Sequence, residues 1–142
     1  MRPIYLLLIT ASLSSCGYFN SGTWKDDPEN WGRVFGQDAP EKIEVVHSHF
    51  WKSAHFTYEF IAYFEIKTDE EFVKEYFIDY YDLRKYDEKN AKNIPLLGQG
   101  DFPDWFVKKD KDNYDIWLGD EFDFTLYIDK VTENIYFSMV QF

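Results

Sequence analysis

The sequence predicts an α+β fold, in which a single two-layer domain has an antiparallel sheet of about five strands with helices on one face. Some stretches alternate between apolar and polar residues, as half-buried strands do, and others repeat apolar residues every three to four positions, as amphipathic helices do. The connections are short, which favours antiparallel pairing because parallel strands need a long crossover. The predicted order is α-β-β-α-β-β-β, within residues 23–142, and a chain of 142 residues suits one domain.

The first predicted element is a short helix between residues 27 and 36. Asp27 is suited to cap it, Pro28 to occupy its first turn and Gly36 to end it. Trp31 and Phe35 are four residues apart, so they share one face of this helix. The helix therefore presents an aromatic pair on one side.

Residues 43–52 and 55–67 alternate and predict a hairpin with a two-residue turn at residues 53–54, in which Lys52 pairs with His55. One face then holds most of the apolar side chains, namely Ile43, Val45, His47, His49 and Trp51 with Phe56, Tyr58, Phe60, Ala62, Phe64 and Ile66. That face is expected to be buried, because register decides which side chains meet the core. The expectation is for Phe56, Phe60 and Phe64 to be buried and for Thr57 and Glu59 to be more exposed.

A second helix, of about three turns, is predicted to begin at the capping box Thr68-Asp69-Glu70-Glu71. Apolar side chains recur every four residues after it, in the rows Phe72, Tyr76, Tyr80 and Val73, Phe77, Tyr81. An aromatic stripe of this kind belongs to the core more often than to a binding groove, so we expect it to face the core.

The C-terminal part predicts three strands, at residues 114–118, 122–128 and 135–142, with a hairpin connection at residues 129–134. Residues 84–112 are rich in charge and show no clear periodicity, so we expect a long loop there. A loop of this length inside a small domain is usually either functional or partly disordered.

The balance of charge is acidic. The chain carries 26 acidic and 15 basic residues, which gives a net charge of −11. Such a field repels phosphates, so the composition argues against a nucleic-acid partner. A basic protein partner fits the charge, although solubility alone also explains it.

The sequence predicts no cofactor, no metal ligands and no catalytic residues. His47 and His49 could offer two imidazoles to zinc, but in the predicted register His55 falls on the opposite face of the hairpin. The two histidines are therefore expected to be hydrogen-bonded residues at the edge of the core. Ser48 lies between the two histidines, and neighbours in a strand point to opposite faces, so it cannot pair with them as a nucleophile. The sequence contains no glycine-rich phosphate loop and no nucleophile elbow.

The N-terminal residues indicate export. Arg2 is followed by an apolar stretch at residues 4–11 and then by small residues. The motif Leu13-Ser14-Ser15-Cys16 resembles the lipobox of bacterial lipoproteins. The resemblance implies that residues 1–15 are a signal peptide cleaved before Cys16, and that acyl chains on Cys16 attach the protein to a bilayer. Cys16 is the only cysteine, so no intramolecular disulfide competes for its thiol.

Residues 16–22 would then be the lipidated N-terminus and a short tether. An aspartate directly after the lipidated cysteine resembles an inner-membrane retention signal. This chain has Gly17 at that position instead. The resemblance therefore implies a location in the cell envelope, on the periplasmic face of the outer membrane. Residues 23–36 are also similar to segments of small uncharacterised bacterial lipoproteins, and this likeness implies no activity.

Two functions fit these features better than a third, an enzyme, which the lack of a catalytic motif disfavours. The first is a non-enzymatic, protein-binding lipoprotein of the cell envelope, for example an immunity-type inhibitor of a delivered toxin. The alternative is an envelope accessory module that contacts glycan or peptidoglycan through exposed aromatic side chains. Phe102, Trp105 and Phe106 are the candidate partner-binding residues, because three large rings stand in a segment without periodicity. Such rings either fold back onto the sheet or stay partly exposed as an anchor for a partner.

Overall fold

The computed structural model describes residues 21–54, 58–87, 102–107, 109–120 and 124–142. Some predicted features lie outside the described residues and stay predictions. They are the signal peptide, the lipobox with Cys16, nearly all of the tether, residues His55, Phe56 and Thr57 of the predicted hairpin, residues 88–101 and 108 of the predicted loop, and residues 122–123 of the predicted strand 122–128.

The described residues form a single antiparallel sheet of seven strands, in the spatial order β1-β2-β3-β7-β6-β5-β4. The strands are β1 Gly22–Lys25, β2 Glu44–Lys52, β3 Phe60–Lys67, β4 Arg84–Lys85, β5 Tyr114–Leu118, β6 Phe124–Asp129 and β7 Ile135–Gln141. The antiparallel class is confirmed, but the prediction of about five strands was wrong. Strands β1 and β4, which lie at the two edges of this sheet, have only four and two residues, too few to show alternation in the sequence.

The C-terminal strands follow the prediction closely. Strand β5 has the predicted bounds, and β6 and β7 lie within the predicted ranges apart from Asp129. Asp129 organises the turn between β6 and β7, because its Oδ1 accepts hydrogen bonds from the amides of Val131 at 2.8 Å and Thr132 at 3.0 Å. In this part of the chain the strands expected from alternation and the turn expected between them are both present.

The pairing of β2 with β3 differs from the predicted register. Lys52 pairs with Phe60 rather than with His55, and a bulge between Val45 and His47 shifts the pairing once more. Moving the partner by an odd number of residues exchanges the two faces of a strand. Ser48 and Phe50 therefore share a face with Phe64 and Ala62, whereas His49 and Trp51 share the other face with Tyr63 and Ile61.

The predicted face of β2 was wrong because both phases of its alternation contain apolar residues. On β3 the predicted burial of Phe60 and Phe64 is confirmed, and Glu59 is more exposed than Phe60. The buried face of β3 was therefore predicted correctly, although the buried face of its partner β2 was not.

A first core covers one face of the sheet. At its centre the rings of Phe64 and Phe137 are stacked, with centroids 4.8 Å apart and planes at 16°. Trp31 and Phe77, from the two helical segments, pack onto Phe137 with centroids at 6.0 Å and 5.3 Å. Aromatic side chains bury about 150–250 Å² each and dominate the energetics of such a core. Ring contacts therefore hold both helical segments on the sheet.

A second core lies on the opposite face of the sheet. Its buried members are Tyr63, Phe106, Tyr114, Ile116, Leu118 and Tyr127. Residues 102–107 supply Phe106 and cover this face without forming a helix or a strand. The predicted two-layer arrangement with helices on one face is therefore too simple, because the central strands have apolar contacts on both sides.

The first helix, α1, spans Asn30–Phe35 and begins later than predicted. Asp27 does not cap it; its Oδ1 accepts the amide hydrogen of Glu29 at 2.9 Å, in the turn before the helix. Gly36 ends the helix as predicted, with φ at +70°.

The second helix, α2, spans Glu70–Val73 and continues as a π-helical segment at Lys74–Asp79. Asp69 caps it instead of Thr68, since its Oδ1 accepts the amide hydrogen of Phe72 at 2.7 Å. The prediction of three α-helical turns was wrong beyond Val73, although the burial of Val73 and Phe77 follows the predicted periodicity. Within the described ranges, no helix has both the length and the apolar character needed to cross a membrane.

Candidate functional site

Strand β1 ends at Lys25, and the turn after it places Asp26 against β2. The Asp26 amide donates to the carbonyl of Ser48 at 2.7 Å, and its Oδ1 accepts from the Ser48 amide at 3.0 Å. Asp26 has φ at +49°, a left-handed conformation that is uncommon for a residue with a side chain. The two hydrogen bonds offset the cost of that conformation, which is on the order of 1–3 kcal/mol. Asp26 is therefore fixed against the sheet.

The Asp26 carboxylate orients His47. Its Oδ1 lies 3.1 Å from Nδ1 of His47. Burial by itself would raise the pKa of Asp26, but the hydrogen bonds from the Ser48 amide and the His47 ring outweigh it and hold the pKa below its usual value. The carboxylate is therefore ionised at neutral pH and favours a proton on Nδ1 of His47.

The imidazole of His47 is in turn stacked on the indole of Trp105, with centroids 5.3 Å apart and planes at 20°. This contact brings residues 102–107 to β2, although the two are far apart in the sequence. Val107 has φ at +43°, which a β-branched residue rarely adopts, so this segment ends in a strained conformation. Asp26, His47 and Trp105 thus form a continuous line, which we call the Asp26 row.

The three predicted partner-binding rings lie at different depths. Phe106 is only 6% exposed. Its ring packs edge-on against the rings of Tyr63 and Tyr127, with centroid distances of 4.9 Å and 5.9 Å. Phe102 is half-buried beside Tyr63, at 5.6 Å, and Trp105 is half-buried in the Asp26 row. Phe106 therefore covers the sheet, while Phe102 and Trp105 keep accessible surface. A role of these rings in partner binding stays a prediction.

A groove of about 350 Å³ opens beside the Asp26 row, where the pairing of β1 with β2 stops. Its lining combines Asp26, Asp27, His47, Ser48 and the indole of Trp31 with the apolar side chains of Pro28, Ala39, Ile43, Val45 and Val46. A second depression of about 510 Å³ shares Pro28, Trp31 and Ala39 with it. Apolar walls beside carboxylates suit a long cationic side chain, which has an apolar stem and a charged head.

The carboxylates near the groove differ in how far they are compensated. The Nη2 atom of Arg33 lies 3.1 Å from Oδ2 of Asp27 and 3.0 Å from Oε2 of Glu29. The Glu29 amide and the Arg33 guanidinium hold the pKa of Asp27 below its usual value. Asp26 instead contacts His47, which is cationic only when protonated. Asp27 is therefore paired with a permanent cation, whereas Asp26 is paired with an imidazole.

Trp31 lines both depressions and carries an unusual polar atom. Trp31 is 2% exposed, and its indole N–H has no hydrogen-bond partner within the described part of the chain. Leaving a buried donor without an acceptor costs about 1–3 kcal/mol.

The described residues contain no group of three or more His, Cys, Asp or Glu side chains that could hold a metal ion. His49 has different surroundings from His47. Its ring packs edge-on against the ring of Tyr63, with centroids 6.1 Å apart. Ser48 lies on the opposite face of β2, where its Oγ accepts the side-chain amide hydrogen of Asn30 at 3.0 Å. Ser48 is therefore not placed as a nucleophile for His47.

No family model matches this chain, and no curated protein or solved structure shows significant similarity to it.

Sequence reasoning missed Asp26 and took Trp31 only as part of the aromatic face of a helix. It expected His47 to be hydrogen-bonded at the edge of the core, and the structure shows that Asp26 is its partner. The Asp26-Asp27-Pro28 stretch does carry a turn signal, because acidic residues before a proline favour turns. The signal was assigned to the start of a helix. The contact between Asp26 and His47 depends on β1, a four-residue strand that has no readable pattern of its own.

Proposed function

We propose that this protein is a lipid-anchored, non-enzymatic protein of the bacterial cell envelope that binds a basic segment of a partner protein. Acyl chains on Cys16 would attach it to the periplasmic face of the outer membrane, and no cofactor takes part. The observation that carries the binding role is the Asp26 row, which stands beside a groove of about 350 Å³.

The chemistry of the row favours an arginine or lysine side chain as the ligand. Asp26 supplies an ionised carboxylate whose position is fixed by two hydrogen bonds to Ser48. Trp105 supplies a flat ring, and cations are attracted to the face of an indole. The apolar part of the groove can cover the stem of a side chain whose charged head meets Asp26. Tryptophan and charged residues in rigid surroundings are common hot spots of protein interfaces.

The overall charge supports the same class of partner. A net charge of −11 raises the rate at which a basic partner meets this surface, and it disfavours nucleic acid. An immunity-type inhibitor of a delivered toxin would belong to this class, since it needs a small, rigid, complementary surface and no catalytic residues.

Affinity capture from the protein's own envelope tests this function. The lipidated protein is isolated with its bound partners, which are identified by mass spectrometry and compared between wild type and Asp26→Asn. Asparagine keeps the shape of the side chain and tolerates the left-handed conformation, so this variant removes mainly the charge. We expect a specific basic protein to be captured by wild type and to be strongly reduced with Asp26→Asn.

Asp120→Asn is the matched control, because it removes the same charge at the opposite edge of the sheet, where Asp120 contacts Arg84 at 3.1 Å. It should capture the partner as wild type does. Equal capture by both variants would exclude the groove as the binding site. Retention on cell-wall sacculi without any protein partner would instead favour the glycan-binding alternative.

A further inference from the structure

One end of the sheet, which we call the tether end, is where the chain enters the fold. Gly22 at the start of β1 pairs with Lys52 at the end of β2, and Lys52 pairs with Phe60 at the start of β3. Phe60 also pairs with Gln141 at the end of β7. These four positions form one row across the sheet, and the residues before Gly22 lead from it toward Cys16.

Large apolar side chains are exposed at the tether end. Trp51 is 37% exposed, Tyr58 is 46% exposed and Phe142 is 85% exposed. Each of them lies within two residues of the row that defines this end. Three of the six exposed large hydrophobic side chains among the described residues lie at this end. Grouped exposed apolar side chains are typical of a surface that meets another apolar phase.

The geometry around Tyr58 is typical of a boundary between water and lipid. Its hydroxyl donates to the carbonyl of Arg33 at 3.0 Å, which fixes the ring although it is half exposed. The ammonium of Lys52 lies 4.8 Å from the centre of the same ring. Tyrosine, tryptophan and lysine are favoured at membrane interfaces, because each has an apolar body and a polar tip that stays in water.

The length of chain before β1 limits how far the tether end can be from a bilayer. Cys16 and Gly22 are six residues apart in the sequence, which spans at most about 20 Å when fully extended. Strand β2 has nine residues, and nine residues in a strand span about 30 Å. In a protein held by Cys16, the tether is therefore shorter than strand β2, and the tether end stays close to the membrane.

We infer that the tether end rests on the lipid surface, with Trp51, Tyr58 and Phe142 at the depth of the head groups. This inference rests on the proposed lipidation of Cys16. The acyl chains supply the attachment, and the rings fix the orientation. Anionic lipids would repel an acidic chain, so charge does not supply the attraction. The groove lies toward the other end of β2 and then faces away from the membrane, where a partner can reach it.

Quenching of tryptophan fluorescence by lipid tests this orientation. The lipidated protein is purified from its own membranes, the mass of its N-terminal peptide is measured, and it is reconstituted into phosphatidylcholine vesicles that carry a nitroxide quencher near the head group. We expect the quencher to reduce the fluorescence of wild type, and this reduction to fall by more than half in Trp51→Phe. Trp105→Phe removes the tryptophan beside the groove and should keep the full reduction.

The outcomes separate the orientation from the lipidation. An acylated protein that the quencher does not affect would overturn the orientation and leave the anchor intact. Equal quenching of wild type and Trp51→Phe would overturn it as well. An N-terminal peptide without the mass of acyl chains would overturn both proposals together.

Discussion

The imidazole of His47 lies nearly parallel to the indole of Trp105, with ring centroids 5.3 Å apart. His47 belongs to β2, whereas Trp105 belongs to a segment that has neither helix nor strand. The stack therefore joins the segment that covers the second face of the sheet to the edge of the groove. Trp105 and its neighbour Phe106 can be separated experimentally, because only Phe106 is deeply buried.

Phe106→Ala and Trp105→Ala should have different effects. Phe106 packs against Tyr63 and Tyr127, so its truncation should cost about 3–5 kcal/mol of the free energy of unfolding. Trp105 is half-buried, and its truncation should cost less while it lowers capture of the partner. Urea unfolding and affinity capture measure the two effects. A Trp105→Ala protein with wild-type capture would remove this ring from the interface.

Truncation of Phe60 to alanine tests the first core. Phe60 is buried and packs on Phe50 with ring centroids 5.5 Å apart, so we expect a loss of about 3–5 kcal/mol in the free energy of unfolding. Tyr80→Ala is the control, since Tyr80 is 78% exposed and its loss should change stability by about 0.5 kcal/mol or less. Similar costs for both variants would contradict the assigned core.

The Asp129 carboxyl should make stability fall in acid. Burial alone would raise its pKa, but hydrogen bonds from Lys109 and from the amides of Thr132 and Val131 outweigh it and lower the pKa to about 2, from 3.8. A carboxyl whose pKa is lowered by folding stabilises the protein above its unfolded pKa, and this contribution is lost as the pH falls. We expect wild type to lose stability between pH 3.8 and about 2. Asp129→Asn should lack this component in urea unfolding at a series of pH values, and an unchanged acid profile would contradict the assignment.

Cys16→Ser should abolish lipidation. The prediction comes from the motif Leu13-Ser14-Ser15-Cys16. Labelled palmitate should enter wild type and not the variant, and the variant should leave the membrane fraction, because stable anchoring needs at least two acyl chains. Ser15→Ala keeps a small residue before Cys16 and should be labelled normally. Equal labelling of wild type and Cys16→Ser would reject the lipobox.

Different parts of the structure were predictable to different degrees. Residues 114–118 hold Tyr114, Ile116 and Leu118 in one phase, and Asp129 supplies the turn that follows β6, so the local sequence was enough to identify these strands. The register of β2 was not predictable, because apolar residues occur in both phases, as Val45 and Phe50 illustrate. The contact of His47 with Trp105 joins residues far apart in the sequence, and no local pattern encodes it.

Strand β1 has a mechanical consequence for the groove. It pairs with β2 through only four residues, and Gly22, the end nearest Cys16, is also the end that a membrane anchor would pull. A force applied there along the strand axis would load the β1–β2 hydrogen bonds together in shear. When this short ladder slips, Asp26 is drawn away from Ser48 and His47 while the longer ladders of β3, β7 and β6 remain. Tension on the anchor would therefore disassemble the groove before it opens the rest of the sheet.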